Sequence, residues 1–305
     1  MILNNLGWRV TNKQKWELLM PLGAEPYLYE SVPGWSNGPN GCKKGVLSGV
    51  DVSSDDRIFV VDREPNPGIL VFDRDGRHID SWGQDIFPLP HDITLTPDGR
   101  AFVPDCRDHT VRICTLEGEV LQTIGTPGVP APPGQPFNQP TGVAIAPNGE
   151  FYVTDGYGQH HVHRFSPDGE LLETWGQKGS EPGNYTLPHN IAISNSGIVA
   201  VADREPNNRI QLFDLDGNFK SQWRGRLFPC GLCIDDDDTV FVAEGFGVSA
   251  FNMDGDLLFV LPLRGGPDDK LHGSHAIAVD RRGDLYVNEV GAPNLMHKFA
   301  RVEAS

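Results

Sequence analysis

Leu89-Pro90-His91-Asp92-Ile93-Thr94-Leu95 decides the fold, because it returns as Leu187-Pro188-His189-Asn190-Ile191-Ala192-Ile193 and, more loosely, as Gly273-Ser274-His275-Ala276-Ile277-Ala278-Val279. Each copy sets a histidine just ahead of an alternating apolar run, the period-2 pattern of a short strand. The three histidines stand 98 and 86 residues apart, about two units each if the unit is the ~40–50 residues of a propeller blade. Working outward, the chain divides into similar rows at 49–83, 91–125, 141–176, 189–225, 230–263 and 274–302. A row reads strand a, tight turn, strand b ending in an acid, loop, strand c, tight turn, strand d. Asp75-Gly76, Glu117-Gly118, Asp168-Gly169, Asp216-Gly217 and Asp254-Gly255 mark the second turn five times over, as glycine permits where φ is positive.

These rows predict an all-β, six-bladed propeller forming a single domain over residues 1–305. The sixth row supplies only three strands. Residues 27–35, YLYESVPGW, resemble the fourth strands at 78–83 and 171–176, so an N-terminal strand is expected to complete the last blade and leave no open edge. The segment Thr126–Pro140, TPGVPAPPGQPFNQP, is too rich in proline to pair and reads as a loop between the second and third blades.

Composition excludes several functions. With 41 acidic and 25 basic residues the net charge is −16, which repels phosphate backbones and anionic membrane surfaces. No apolar run approaches the ~20 residues that span a bilayer. The start, MILNNLGWRVTNKQKW, lacks the basic-then-apolar order of a secretion signal, so a cytoplasmic protein is expected. Five cysteines fit reduced thiols, and Cys230-x-x-Cys233 falls inside a strand, where residues three apart face opposite ways.

The slot before strand a reads Ser48, His91, Thr141, His189, Cys230, His275. Histidine occupies alternate blades. If the ring closes, three imidazoles converge at one mouth of its axis, and three neutral imidazoles with a fourth position open are the ligand set of a catalytic zinc. The loops after strand b share that end and read Asp62-Arg63-Glu64, Asp105-Cys106-Arg107, Asp155-Gly156-Tyr157, Asp203-Arg204-Glu205, Glu244-Gly245-Phe246 and Glu289-Val290-Gly291. An acid present in every row is architectural, tying blade to blade. The residues after the acid vary, and Arg63, Tyr157 and Arg204 are the large polar groups offered to the mouth, unless Glu64 and Glu205 pair the arginines. Asp235–Asp238 reads as a solvated turn at the far end, and His160, His161 and His163 as surface histidines.

The rows, the two LPH copies, Thr154-Asp155-Gly156-Tyr157 and Ala202-Asp203-Arg204-Glu205 followed by Arg209-Ile210 resemble NHL-type repeats and, jointly, the lyase domain of the peptidylglycine α-amidating enzymes, over about residues 45–300. The resemblance implies cleavage of a peptidyl-α-hydroxyglycine to an amide and glyoxylate at a zinc held by three histidines. It carries the ligands to His91, His189 and His275, the catalytic tyrosine to Tyr157 and the active-site arginines to Arg63 and Arg204, with Arg204 assigned to the substrate carboxylate. It also implies a structural calcium, held partly by an aspartate directly after the third histidine, where this sequence has Ala276; carbonyls near Val50 and Ile93 remain to line such a site. The family's disulfides are absent, Gly158 standing where a half-cystine usually follows the tyrosine. The expected partner is therefore a small-molecule or short peptidyl α-hydroxyglycine. Two other readings compete: a non-catalytic NHL scaffold, and a calcium lactonase, which would want carboxylates and amides around the axis.

Overall fold

Strand b of the first blade, Ile58–Asp62, has no polar residue before its terminal acid and is buried along its whole length. A strand covered on both faces has no reason to alternate polarity. Ile58 and Val60 pack against Ala276, Ala278 and Tyr286 of the sixth blade, whereas Phe59 and Val61 pack against Ile93, Ala101 and Val103 of the second. The same division recurs around the molecule. Six apolar clusters separate the blades, one between each neighbouring pair.

A computed structural model describes residues 27–35, 45–225, 228–245, 247–262, 273–290 and 296–302, together with short strands at Trp8–Val10, Trp16–Leu18 and Leu22–Ala24. Six antiparallel sheets run a-b-c-d, five of them in chain order and the sixth with an N-terminal strand as its d. Their a strands are Leu47–Val52, Thr94–Leu95, Gly142–Ile145, Pro188–Ile193, Pro229–Ile234 and Gly273–Val279. Each touches the next, and the last touches the first. The architecture is the expected all-β six-bladed propeller, with no helix among the described residues. The five glycines of the Asp-Gly and Glu-Gly turns adopt φ between 74° and 90°.

Closure is also as expected: Tyr27–Ser31 pairs with Met296–Val302, Tyr29 opposite Arg301 and Ser31 opposite Phe299. The pairing is shorter than the 27–35 stretch, because Pro33 has no N–H to donate; the last bond is from the Val32 N–H to the Lys298 carbonyl, 2.9 Å. A further strand, Leu22–Ala24, adds to the outer edge, so the sixth sheet has five strands and not four. Trp8–Val10 and Trp16–Leu18 form a separate two-stranded sheet that the repeat pattern does not foresee. The expected neighbours Leu263, Phe246, Gly291 and Leu295 lie outside the described residues.

Beyond the closing strand Trp35 crosses to the first blade. It is 5% exposed, its ring centroid lies 5.2 Å from Tyr286 and 5.9 Å from Phe72, and its indole N–H donates to the Arg74 carbonyl at 2.8 Å. Trp35 thus packs into the seam between last and first blades. Trp35→Ala is expected to cost about 3–5 kcal/mol, the range for emptying a large aromatic site. A shift of the urea midpoint checks this, and an unchanged midpoint would show that the seam is held elsewhere.

Candidate metal centre

The slot residues owe their direction to a repeated irregularity. In the first, fourth, fifth and sixth blades the a–b register slips by one residue at Ser48, His189, Cys230 and His275, each being the extra residue of a bulge. Bulges re-aim side chains. In the second blade His91 lies between the isolated Pro90–Asp105 bridge and strand a, its N–H held by the Pro104 carbonyl at 2.9 Å.

The three imidazoles meet as the slot predicts. Their ring centroids form a nearly equilateral triangle with sides of 4.9, 5.0 and 5.1 Å, and all three residues are buried. Each Nδ1 lies on the carbonyl of the slot residue one blade on: His91 on Thr141 at 2.6 Å, His189 on Cys230 at 2.9 Å, His275 on Ser48 at 2.7 Å. A carbonyl can only accept, so Nδ1 carries the proton in each ring and Nε2 keeps its lone pair. One ligand atom from each ring falls within 4.8 Å of the other two. This donor set fits a metal ion, its outer-shell partners already in place.

Electrostatics keep the rings neutral. Burial is the largest cause holding His91 and His189 well below the usual imidazole value, and neighbouring histidines and arginines add to it; His275 is lowered to about 4, by burial first and by Arg63 and Arg204 after it. Folded-state values below the unfolded ~6.5 mean that the unfolded chain binds more protons between the two. The contribution of these three histidines to the stability of metal-free protein is therefore fully present above pH ~6.5 and falls as the pH drops toward 4, whereas buried Asp51 and Asp92, raised to about 6 and about 8, act in the opposite direction. An NMR titration of chelated protein in which the three imidazoles protonate at or above ~6.5 would contradict this.

Tyr157 closes one side of the triangle. Its hydroxyl lies 3.0 Å from His91 Nε2 and 3.1 Å from His189 Nε2, while the residue remains 37% exposed. Burial raises its pKa to about 12, Cys106 adds to that, and Arg63 and Arg204 oppose it. The two arginines differ. Arg204 forks onto Glu205 at 3.1 and 3.2 Å, as a simple pairing reading would have it. Arg63 has no ion pair among the described residues, and its buried Nε–H has no acceptor.

The acid column clips the incoming linker onto its own blade: Asp62 accepts the Gly45 N–H, Asp105 that of Leu89, Asp155 that of Asn138, and Asp203 those of Thr186 and Leu187, all at 2.7–3.0 Å. Glu289 instead takes His297 Nε2 at 2.6 Å. His163 is not at the surface: it is fully buried, with Nδ1 2.8 Å from Thr174 Oγ1 and Nε2 3.4 Å from Asp155. Asp235–Asp238 is an ordinary turn, Asp235 accepting the N–H groups of Asp237 and Thr239. The described cysteines are all free. Cys106, hidden beside the site with its thiol on the Pro140 carbonyl at 3.1 Å, is a neighbour that the loop pattern did not single out.

Of the residues after the histidines, Asp92 places its oxygens on the Ile93 N–H at 2.9 Å and the Asn190 amide at 2.6 Å, and Ala276 offers no carboxylate. A cavity of about 580 Å³ opens at the opposite end, walled by all six a strands, and none of the three histidines, Tyr157, Arg63 or Arg204 lines it.

The chain resembles several known proteins. The NHL repeat model matches residues 137–165. Peptidyl-glycine alpha-amidating monooxygenase B of Xenopus laevis is 32% identical over 282 residues, 83% of this chain and 32% of that protein. A probable peptidyl-alpha-hydroxyglycine alpha-amidating lyase of Caenorhabditis elegans is 27% identical, over 74% of this chain and 68% of that one. The chain is an NHL propeller resembling the amidating lyases. This propeller spans about a third of the length of the frog enzyme. It is also 28% identical to NHL repeat-containing protein 3 of Homo sapiens, over 88% of this chain and 83% of that protein. A gluconolactonase of Xanthomonas campestris superposes with a TM-score of 0.67 at 16% identity, over 92% of this chain and 97% of that one, a likeness of fold alone.

Proposed function

We propose that the chain is a zinc-dependent lyase cleaving the C–N bond of an N-acyl-α-hydroxyglycine to an amide and glyoxylate. The observation that carries this is the convergence of three unprotonated Nε2 atoms with the Tyr157 hydroxyl between two of them. His91, His189 and His275 would hold the zinc, which when bound polarises the substrate hydroxyl as a Lewis acid.

The protein's own groups account for the rest. Tyr157 as phenolate accepts the hydroxyl proton, the pair left on oxygen forms the second bond of the glyoxylate carbonyl, and the C–N bond breaks with its pair left on nitrogen. The same tyrosine then returns the proton to that nitrogen, so the amide leaves neutral and the enzyme is unchanged. A phenol at about 12, a value that already includes the pull of Arg63 and Arg204, is scarcely ionised at neutral pH, and a cation on the three histidines would lower it further. Arg63, with its unsatisfied buried donor, supports the phenolate and the developing charge. Arg204 binds the substrate carboxylate, in competition with Glu205.

The test is incubation with N-benzoyl-α-hydroxyglycine. Benzamide and glyoxylate should appear in equal amounts. Release of neither would favour the second reading, a non-catalytic scaffold, which the similarity to human NHL repeat-containing protein 3 supports.

A further inference from the structure

Tyr157 is held tightly on both flanks. Its neighbours are Gly156 and Gly158, and both are pressed against main chain: a Cβ on Gly156 would lie 2.0 Å from the Pro188 carbonyl oxygen, and one on Gly158 would lie 2.3 Å from that of Asn138. Pro188 directly precedes His189. Asn138 belongs to the proline-rich insertion. The tyrosine loop therefore sits in a slot between the next blade and the end of the insertion, and neither wall leaves room for a side chain on either flank.

The insertion also bonds to that loop at five points. Asn138 donates its N–H to Asp155 at 2.7 Å and its side-chain amide to the Gly158 carbonyl at 3.2 Å; the Gln139 carbonyl faces the Tyr157 N–H at 3.4 Å; and Gln159 accepts from the Gly134 N–H at 2.9 Å while donating to the Gln135 carbonyl at 2.8 Å. From behind, the second blade fixes the same stretch. His109 Nδ1 accepts the Gln139 N–H at 3.2 Å, and the Cys106 thiol donates to the Pro140 carbonyl. Phe137, fully buried against His163 and Phe165, anchors it in the third blade.

We infer that residues 137–140 are a positioning strap for Tyr157, with Asn138 the positioning residue whose amide and main chain set the distance between the phenol and the histidine triangle. This rests on the lyase reading for its effect on turnover, though not for its effect on where the phenol lies.

Two variants test it, Asn138→Ala, which removes the amide, and Gly158→Ala, which forces the loop off the strap. Val129→Ser, at the exposed tip of the same insertion, is the control. Zinc content should stay at the wild-type level in all three. For N-benzoyl-α-hydroxyglycine, kcat should fall on the order of 10²-fold in Gly158→Ala and about tenfold in Asn138→Ala, with KM within about twofold, whereas Val129→Ser keeps wild-type values. With cobalt in place of zinc, Tyr157→Phe should alter the visible absorption, and both test variants should move it the same way. Wild-type kcat and cobalt absorption in both variants would overturn the inference, as would loss of metal in parallel with turnover. If wild type releases no glyoxylate the lyase reading fails on that result, and the cobalt spectra alone decide the strap: unchanged spectra overturn it.

Discussion

Tyr157→Phe is expected to lower turnover of an N-acyl-α-hydroxyglycine by ~10²–10⁴-fold, the usual cost of losing a general base. The substitution keeps the ring, which lies edge-on to His91 with centroids 5.0 Å apart, and removes only the hydroxyl that reaches both Nε2 atoms. Zinc content and melting temperature should stay near wild type. The pH profile should change as well. Only the ionised phenol accepts a proton, so wild-type turnover should rise with pH until the tyrosine has titrated, and Tyr157→Phe should lack that limb. Full turnover in the variant would move the base elsewhere.

His189→Ala is expected to lose most of the bound zinc, and with it nearly all turnover. Structural zinc is usually closed by four protein ligands, but among the described residues three converge here, so removing one leaves two imidazoles, which is too few to hold the ion against solvent. The variant also strips the Cys230 carbonyl of its partner, so the measurement is made on protein shown by circular dichroism to retain its sheets. Unchanged zinc in folded His189→Ala would remove this residue from the ligand set.

The triangle was legible in the sequence because a repeat turns position into geometry: once His91, His189 and His275 share a slot, the symmetry of the ring brings them together. The bulges that aim His189 and His275 were not legible, since an extra residue in strand a leaves no mark on an apolar run. His163 misled for a related reason. A histidine at the start of strand c reads as polar and exposed, yet Asp155 and Thr174 satisfy it inside the third blade. The insertion gave the opposite difficulty. Its prolines announce a loop, but that the loop grips Gly156 to Gln159 depends on close main-chain contacts, which spacing does not record. The closing strand could be recognised from its likeness to other fourth strands; the fifth strand outside it, Leu22–Ala24, has no counterpart in another blade among the described residues.

The central claim is that the histidine triangle holds the zinc on which cleavage depends, and titration of zinc into chelated protein tests it most directly. Glyoxylate release should be absent in the chelated protein, rise in proportion to zinc added, and level off at about one equivalent per chain, with zinc–nitrogen distances near ~2.0–2.1 Å by X-ray absorption. Glyoxylate release that persists without zinc, or none at full zinc occupancy, would contradict it.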